Sequence, residues 1–140
     1  MREGRSVWEQ DSSMLHHGID AIEVARIAKS LEQHGERFLA RLFTEGERAY
    51  AEPRARRVEH YAARFAAKEA VLKAIGTGWR DGIAWTDVEV VHDPAGKPGV
   101  RLHGEAARVA ASLGITSWVI SLTHTKEMAF ASAIGYGSDR

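Results

Sequence analysis

The chain has 140 residues, with 19 basic and 19 acidic side chains and no cysteine. This balance gives no support for a nucleic-acid-binding or membrane-surface protein, and the lack of thiols excludes disulfide scaffolds, thiolate zinc sites and cysteine nucleophiles. No apolar run approaches the ~20 residues of a membrane span, and the N-terminus lacks the apolar core of a signal peptide. We expect a cytoplasmic protein, with residues 1–14 as an N-terminal arm that is either flexible or foreign to the native chain, and residues 15–140 as one domain.

The first half of the domain has the patterns of one strand followed by helices. A strand is predicted over 15–24, two helices over 23–43, a third helix from 44, and a long helix from about 58 to 75. Gly35 divides the first two helices. Thr44, with Glu47 three residues later, is typical of a helix N-terminus closed by a capping box.

The second half has the patterns of two strands, a helix and two more strands. These segments are 85–93, 100–104, 105–114, 117–125 and 128–134. The order of elements favours an α+β fold with an antiparallel sheet packed on helices. Ala129, Ala131 and Ala133 share one face of the last strand, so another backbone is expected close to them. We favour a helix crossing that face over the alternative of a subunit interface.

The long helix carries a carboxylate among apolar side chains. At ~100° per residue, Glu69 falls between Phe65 and Ala62, and Lys73 follows one turn later at the edge. An isolated buried charge is very costly, so Glu69 must be neutralised, paired or bound to a metal. Taken alone, a salt bridge between Glu69 and Lys73 is the plainer interpretation.

Cations and glycines around this carboxylate indicate a site for a phosphate. Arg64 and Lys68 lie one turn apart along the opposite flank of the helix, and Gly76-Thr77-Gly78 follows its end. Glycines beside cations often let backbone N–H groups approach phosphate oxygens, although Gly76 is equally typical of a helix C-cap. His124 and Thr125, near the end of a predicted strand, add donors suited to an anion.

A second carboxylate, Asp20, lies at the end of the first predicted strand. Asp20 and Glu23, three residues later, also resemble a helix N-cap and its capping-box partner. If Asp20 meets Glu69, the two offer hard oxygen ligands and leave most positions open, which suits Mg²⁺ with waters and substrate phosphates. The residues alone therefore favour a Mg²⁺-dependent site that handles phosphate, without identifying the substrate.

Five segments in order resemble the holo-acyl-carrier-protein synthases, the small type of 4'-phosphopantetheinyl transferase. They are GIDAIEVARI (18–27), FLARLFTEGERAY (38–50), ARFAAKEAVLKAIGTG (63–78), DVEVVHDPAGKPGVRLHG (87–104) and SLTHT (121–125). The resemblance implies transfer of phosphopantetheine from coenzyme A to a serine of an apo acyl carrier protein, releasing adenosine 3',5'-bisphosphate. It also implies a homotrimer with sites at the subunit boundaries, in which the alanine face of the last strand would meet a partner.

The resemblance further implies roles for single residues. Asp20 and Glu69 match the family's magnesium ligands, and Lys73, which contacts the coenzyme phosphates there, joins Glu69 as the predicted catalytic pair. Arg26 matches a helix arginine that faces the acidic carrier protein, and Lys29 lies near it. Coenzyme A binding is predicted for Lys73 and for a further set of residues: Arg56, Arg64, Lys68, Gly76, Thr77, Gly78, Lys97, Pro98, His124 and Thr125.

Two other classes of protein stay open from the sequence. A non-catalytic module that binds coenzyme A or a carrier protein would keep Lys73 and His124 but would not need both Asp20 and Glu69, so the presence of both acids favours the enzyme. A structural domain would use Asp20 as a helix cap and Glu69 as a salt-bridge partner. Also open are the carrier protein served, of fatty-acid or polyketide type, and the general base, either Glu69 or a water on the metal.

Overall fold

The computed structural model describes residues 15–77 and 82–137, which contain five strands, five α-helices and a 3-10 turn. The elements are β1 (His16–Glu23), α1 (Val24–His34), α2 (Glu36–Leu42), α3 (Glu45–Ala51), α4 (Arg57–Ala74), the 3-10 turn (Trp85–Asp87), β2 (Val88–His92), β3 (Pro98–Leu102), α5 (Gly104–Ser112), β4 (Ser117–His124) and β5 (Met128–Tyr136). The predicted α+β class is confirmed. The predicted arm over 1–14 and the coenzyme residue Gly78 lie outside the described residues.

The strands form two antiparallel sheets. A three-stranded sheet has the order β1-β5-β4, and β2 pairs with β3 in a separate hairpin. In the larger sheet Asp20 pairs with Ala131, and His124 pairs with Ala129 on the other side of β5. Since side chains alternate along a strand, this register places Asp20 and His124 on the same face.

Helix α4 covers this inner face of the three-stranded sheet and packs on both β1 and β5. Ala129, Ala131 and Ala133 are buried there, with at most 3% of their surface exposed. The expected crossing helix is therefore α4, and the assignment of this alanine face to a subunit partner is wrong. Small side chains are needed because a helix of the same chain packs directly on the strand.

Gly18 sets how closely β1 approaches α4. A Cβ atom at this position would lie 1.9 Å from the carbonyl oxygen of Ala70 and 2.8 Å from the amide nitrogen of Ala74. Any side chain would therefore push the strand away from the helix backbone. Asp20 lies two residues later on the same face, so this contact brings it against the C-terminal half of α4.

The local signals between the first helices behave as predicted. Helices α1 and α2 are separated at Gly35, which has a φ of +52°. Thr44 caps α3: its hydroxyl accepts from the Glu47 amide, and the Glu47 carboxylate accepts from the Thr44 amide. Within residues 15–77 and 82–137, no helix combines the length and apolar character required to cross a bilayer.

Candidate metal and phosphate site

Asp20 is positioned by β1 and not by a helix terminus. The strand continues to Glu23, and α1 begins at Val24 without a side-chain cap. The alternative of Asp20 as an N-cap is therefore wrong. Its carboxylate faces α4 from the inner side of the sheet, with 15% of the side chain exposed.

Glu69 lies on the least buried stripe of α4. Phe65 and Glu69 are half-buried and Lys73 is exposed, whereas the other residues from Tyr61 to Ile75 are all buried. The apolar arc in which the sequence places Glu69 is thus not the side of the helix that enters the core. The buried sides of the helix consist mainly of alanines, which pack on the sheet. Arg64 and Lys68 are also buried and contact other elements.

The two carboxylates converge, with cations beside them. Burial raises the pKa of Glu69, the negative charge of Asp20 raises it further, and Lys73 and Arg26 act in the opposite direction. The Lys73 ammonium donates to Asp20 Oδ1 at 2.9 Å and to the Ile19 carbonyl at 3.1 Å. Lys73 thus pairs across to the strand, in place of the Glu69–Lys73 salt bridge considered from the sequence.

This donor set fits a hard divalent cation. Two neighbouring carboxylates that are partly open to solvent match the way Mg²⁺ is usually held, by one or two carboxylates, waters and substrate phosphates. The raised pKa of Glu69 has a like-charge component that a cation between the acids would relieve. No group of three or more His, Asp or Glu side chains suited to a metal occurs in the described parts of the chain.

Lys68 does not lie in this site, and the prediction that it binds coenzyme A is wrong. Its side chain is fully buried, and the ammonium forms a 2.8 Å ion pair with the equally buried Glu47. It also donates to the carbonyl oxygens of Trp85 and Val88, so its three N–H donors all have partners inside the protein. This flank of α4 is covered by α3 and β2.

Arg64 is also too deeply buried for direct contact with a ligand, so its predicted contact with coenzyme A is wrong. Only 3% of the residue is exposed, and its guanidinium donates to the His60 carbonyl and lies 3.0 Å from His92 Nε2. The same group lies 4.2 Å from the centroid of the Tyr50 ring. Arg64 therefore underlies a group of aromatic side chains and is not open to solvent.

Gly76 and Thr77 form the C-terminus of α4 and not a phosphate cradle, so the prediction that they bind coenzyme A is wrong. The Gly76 amide donates to the Lys73 carbonyl at 3.0 Å, and the Thr77 amide donates to the Leu72 carbonyl at 3.1 Å. With Gly76 at a φ of +80°, this is the Schellman arrangement. Because both N–H groups are used within the helix end, they are not available for phosphate oxygens.

His124 ends β4 on the inner face, and its Nδ1 lies 2.9 Å from Glu59 Oε1 in the first turn of α4. The ring also makes an edge-to-face contact with His60 at a centroid distance of 5.0 Å. Thr125 has a structural position, because its hydroxyl accepts from the amides of Glu127 and Met128 in the turn to β5. Of these two predicted residues, His124 is the one whose side chain can face a ligand.

Arg56 is exposed at the start of α4, beside a groove of about 440 Å³ between α1 and α4. Glu59, the partner of His124, lines the same groove. Lys97 and Pro98 lie at the turn of the β2–β3 hairpin, where Asp93 accepts from the Lys97 amide and Pro98 pairs with His92. Within one protomer, Glu59 thus connects Arg56 to His124, and Pro98 lies opposite His92 in the hairpin.

Several residues of this region are not predicted from the sequence. Tyr50 stacks on His92 at 4.0 Å, with Arg54 over the Tyr50 ring at 3.6 Å and His60 nearby. These residues come from α3, the following loop, α4 and β2, and share no sequence spacing. The only available signal was their chemistry, since each is aromatic or basic in a chain with no excess of positive charge.

Comparison with known proteins agrees with this geometry. A family model described as the 4'-phosphopantetheinyl transferase superfamily matches residues 17–123. The chain belongs to this superfamily. The family predicted from the five segments is thereby confirmed.

Members of the superfamily resemble the chain over most of its length. A holo-[acyl-carrier-protein] synthase of Solibacter usitatus (strain Ellin6076) is 51% identical over 117 residues, which cover 84% of this chain and 94% of the relative. The crystal structure of holo-[acyl-carrier-protein] synthase (AcpS) from Neisseria meningitidis matches with a TM-score of 0.78 and 29% identity, covering 87% of this chain and 98% of that one. A Bacillus anthracis str. Ames holo-(acyl-carrier-protein) synthase structure in complex with CoA (3',5'-ADP) has a TM-score of 0.72 and 36% identity, covering 88% and 96%.

Proposed function

We propose that the protein is a holo-acyl-carrier-protein synthase, which transfers 4'-phosphopantetheine from coenzyme A to a serine of an apo acyl carrier protein. The observation that carries the proposal is the 2.9 Å bond from Lys73 to Asp20, because Lys73 lies one turn beyond Glu69 on α4 and so brings together two acids 49 positions apart in the sequence. The names of the relatives support the same reaction, and the bound coenzyme A of the Bacillus anthracis protein supports the co-substrate. A structural domain would not require two acids to approach each other at a half-open surface.

Asp20 and Glu69 would hold the Mg²⁺ ion of the reaction. When bound, this ion supplies Lewis-acid polarisation of the diphosphate oxygens. Lys73 is half-exposed and lies within 2.9 Å of Asp20, so its ammonium is placed to stabilise negative charge on the departing phosphate. Positioning and charge stabilisation provide most of the acceleration in phosphoryl-type transfers, and these side chains provide both.

The remainder of coenzyme A would extend from the acidic pair towards the N-terminal end of α4. Ten residues separate Glu59 from Glu69, which corresponds to ~15 Å along a helix. Arg56 and His124 at that end offer donors for an additional phosphate group of the coenzyme. Lys97 and Pro98, beside His92 on the β2–β3 hairpin, would contact the coenzyme from the turn of that hairpin.

The carrier protein would dock on α1. Arg26 is exposed and acts electrostatically on Glu69, so a carrier bound at Arg26 would place its serine next to the acidic pair. Lys29 is exposed one turn later and lines a groove of about 490 Å³ with Arg57 and Val58. Opposite charges on the two proteins would mainly accelerate association and set orientation.

The outer face of the three-stranded sheet supports assembly of several copies. It carries the large apolar side chains Leu15, Ile19, Val119, Phe130 and Tyr136, which are between 38% and 63% exposed. Exposed apolar side chains gathered on one face mark an interaction surface. We assign this face, in place of the covered alanine face, to the homotrimer contact, with Ile19 directly next to Asp20 along β1.

Mass measurement of a carrier protein tests the proposed function. After incubation with coenzyme A and Mg²⁺, the apo acyl carrier protein should gain the mass of one phosphopantetheine, and chelation of the metal should prevent the gain. Native mass spectrometry of wild type and Ile19→Lys tests the assembly, with a trimer expected only for wild type. If the mass of the carrier does not change in the presence of both Mg²⁺ and coenzyme A, the transferase activity is contradicted. If the wild-type protein is a monomer, the trimer is contradicted.

A further inference from the structure

Glu59 is a buried carboxylate without a role in the site described so far. It lies in the first turn of α4, and only 10% of its side chain is exposed. Its Oε1 atom lies 2.9 Å from Nδ1 of His124, at the end of β4 and 65 positions away in the sequence. This buried acid therefore contacts a histidine of the proposed coenzyme site, although the two residues are far apart in the sequence.

The identity of the contacting nitrogen limits what His124 can do. A neutral imidazole carries its proton on one nitrogen and accepts on the other, and a carboxylate accepts hydrogen bonds only. The Glu59 contact therefore requires the proton on Nδ1 and leaves Nε2 as the nitrogen that faces other groups. In many sites a second group selects the working tautomer of a histidine in this way.

Other basic side chains surround His124. His60 lies edge-to-face with His124, Arg64 lies beneath His60, and His92 and Arg54 complete a cluster of basic side chains around Tyr50. Glu59 contacts this cluster through His124. It also lines the groove beside Arg56, so Glu59 joins His124 to the groove where a phosphate would bind.

We propose that Glu59 is a positioning residue, which holds His124 in the Nδ1–H tautomer with Nε2 directed to the coenzyme. The benefit of this role rests on the proposed function: in the imidazolium form of His124, Nδ1–H stays on Glu59 and Nε2–H would donate to the coenzyme phosphate. The arrangement of Glu59 and His124 does not depend on the proposed function, since the tautomer and ring orientation of His124 are properties of the free protein. Glu59 thus acts through His124 and does not touch the substrate.

The tautomer can be measured without any variant. In ¹⁵N NMR spectra of the wild-type protein at about pH 8.5, where imidazoles are generally neutral, His124 should show a protonated Nδ1 and an unprotonated Nε2. The His124→Gln spectrum identifies its signals. An Nε2–H tautomer for His124 in the folded wild type overturns the proposal.

The variant Glu59→Gln tests the functional consequence. Its amide can donate to Nδ1, so the Nδ1–H tautomer should lose its preference. Because the amide also has no charge to stabilise the imidazolium that would bind the phosphate, the KM for coenzyme A should rise about tenfold, the order expected when one charge-assisted hydrogen bond is weakened. The KM for carrier protein should stay the same. Glu45→Gln, at an exposed position on α3, is the matched control and should leave both values unchanged.

The outcomes separate this proposal from the proposed function. Unchanged tautomer and unchanged KM in folded Glu59→Gln overturn the positioning role even if the transferase is active. If Glu59→Gln does not fold, the wild-type tautomer decides. Absence of any transfer to carrier protein contradicts the proposed function alone, while the NMR result still tests the Glu59–His124 geometry.

Discussion

Two lysines five residues apart on α4 have opposite positions. Lys68 is fully buried and pairs with Glu47, whose other carboxylate oxygen accepts from the Val90 amide at 2.7 Å. Lys73 is half-exposed and pairs with Asp20 on β1. The first pair ties α4 to α3 and β2, whereas the second lies at a surface where its partners can change.

The difference shows how the environment, and not the residue type, assigns a lysine to structure or function. A buried ion pair is strongly destabilising to break, because the remaining charge stays inside the protein. An exposed pair contributes little to stability, so its ammonium is free to bind a ligand. The comparison therefore predicts that damage at Lys68 affects folding and damage at Lys73 affects transfer.

Removal of the buried charge should have the largest effect. Lys68→Met leaves the Glu47 carboxylate without its cation and should lower the free energy of unfolding by about 3–5 kcal/mol. Urea denaturation followed by circular dichroism measures this loss. The matched variant Lys73→Met should change it by less than about 1 kcal/mol. Equal losses in the two variants would remove the distinction between the pairs.

On the functional side, Glu69→Gln should cause the largest loss. The substitution keeps the shape of the side chain but removes the charge that would hold the metal, so transfer activity should fall roughly 100-fold or more. Steady-state kinetics with saturating Mg²⁺ measures it. The melting temperature should not fall, since burial and Asp20 already disfavour the ionised form of Glu69. Full activity would refute the ligand role.

Lys73→Ala should have the next largest effect. Loss of the ammonium removes a phosphate contact, and the specificity for coenzyme A, kcat/KM, should fall about 10- to 100-fold with little change in stability. Kinetics with varied coenzyme A at constant carrier protein measures the change. Unchanged kinetics would count against Lys73 as a coenzyme residue and leave its bond to Asp20 as a purely structural contact.

Arg26→Ala should have a smaller and different effect. Because Arg26 would attract the acidic carrier protein, the KM for carrier should rise several-fold, more than the KM for coenzyme A. The effect should shrink at high ionic strength, where surface charges are screened. A larger change for coenzyme A than for carrier would overturn the docking assignment.

The smallest expected effect is a pH dependence of stability. Burial and the charges of Arg64, His124 and Arg54 lower the pKa of His60, and burial with Arg64 and Arg54 lowers that of His92. The unfolded chain then binds these protons more readily, so stability is complete above about pH 6.5 and falls as the pH drops below it.

Thermal unfolding between about pH 7 and pH 5 measures this loss. The double variant His60→Gln/His92→Gln should show a shallower decrease than wild type. His34→Gln, at an exposed position on α1, should keep the wild-type slope. A double variant with the wild-type slope would place the responsible groups elsewhere.

The sequence predicts most of the fold because its signals are local. The break at Gly35, the capping box of Thr44 and Glu47 and the closing hairpin of β4 and β5 depend on residues near each other in the chain. Asp20 and Glu69 were paired through the resemblance and the chemistry of magnesium. Their meeting depends on the tight packing of Gly18 against α4, which the sequence does not reveal.

The site residues that were wrong share one cause. A helical wheel gives the direction of a side chain but not what covers it, so it could not show that α3 and β2 bury Lys68. It also could not show that the amides of Gly76 and Thr77 are used within the helix end. The Glu59–His124 contact was missed because it joins two elements that only the tertiary fold brings together.

The most direct test of the acidic pair is divalent-cation binding in the presence of coenzyme A. Mn²⁺, which also prefers oxygen ligands, can be followed by electron paramagnetic resonance of the free ion. Wild type should bind a single ion per active site, and the folded double variant Asp20→Asn/Glu69→Gln should bind none at the same concentration. Binding of the ion by the double variant with wild-type affinity would contradict the account.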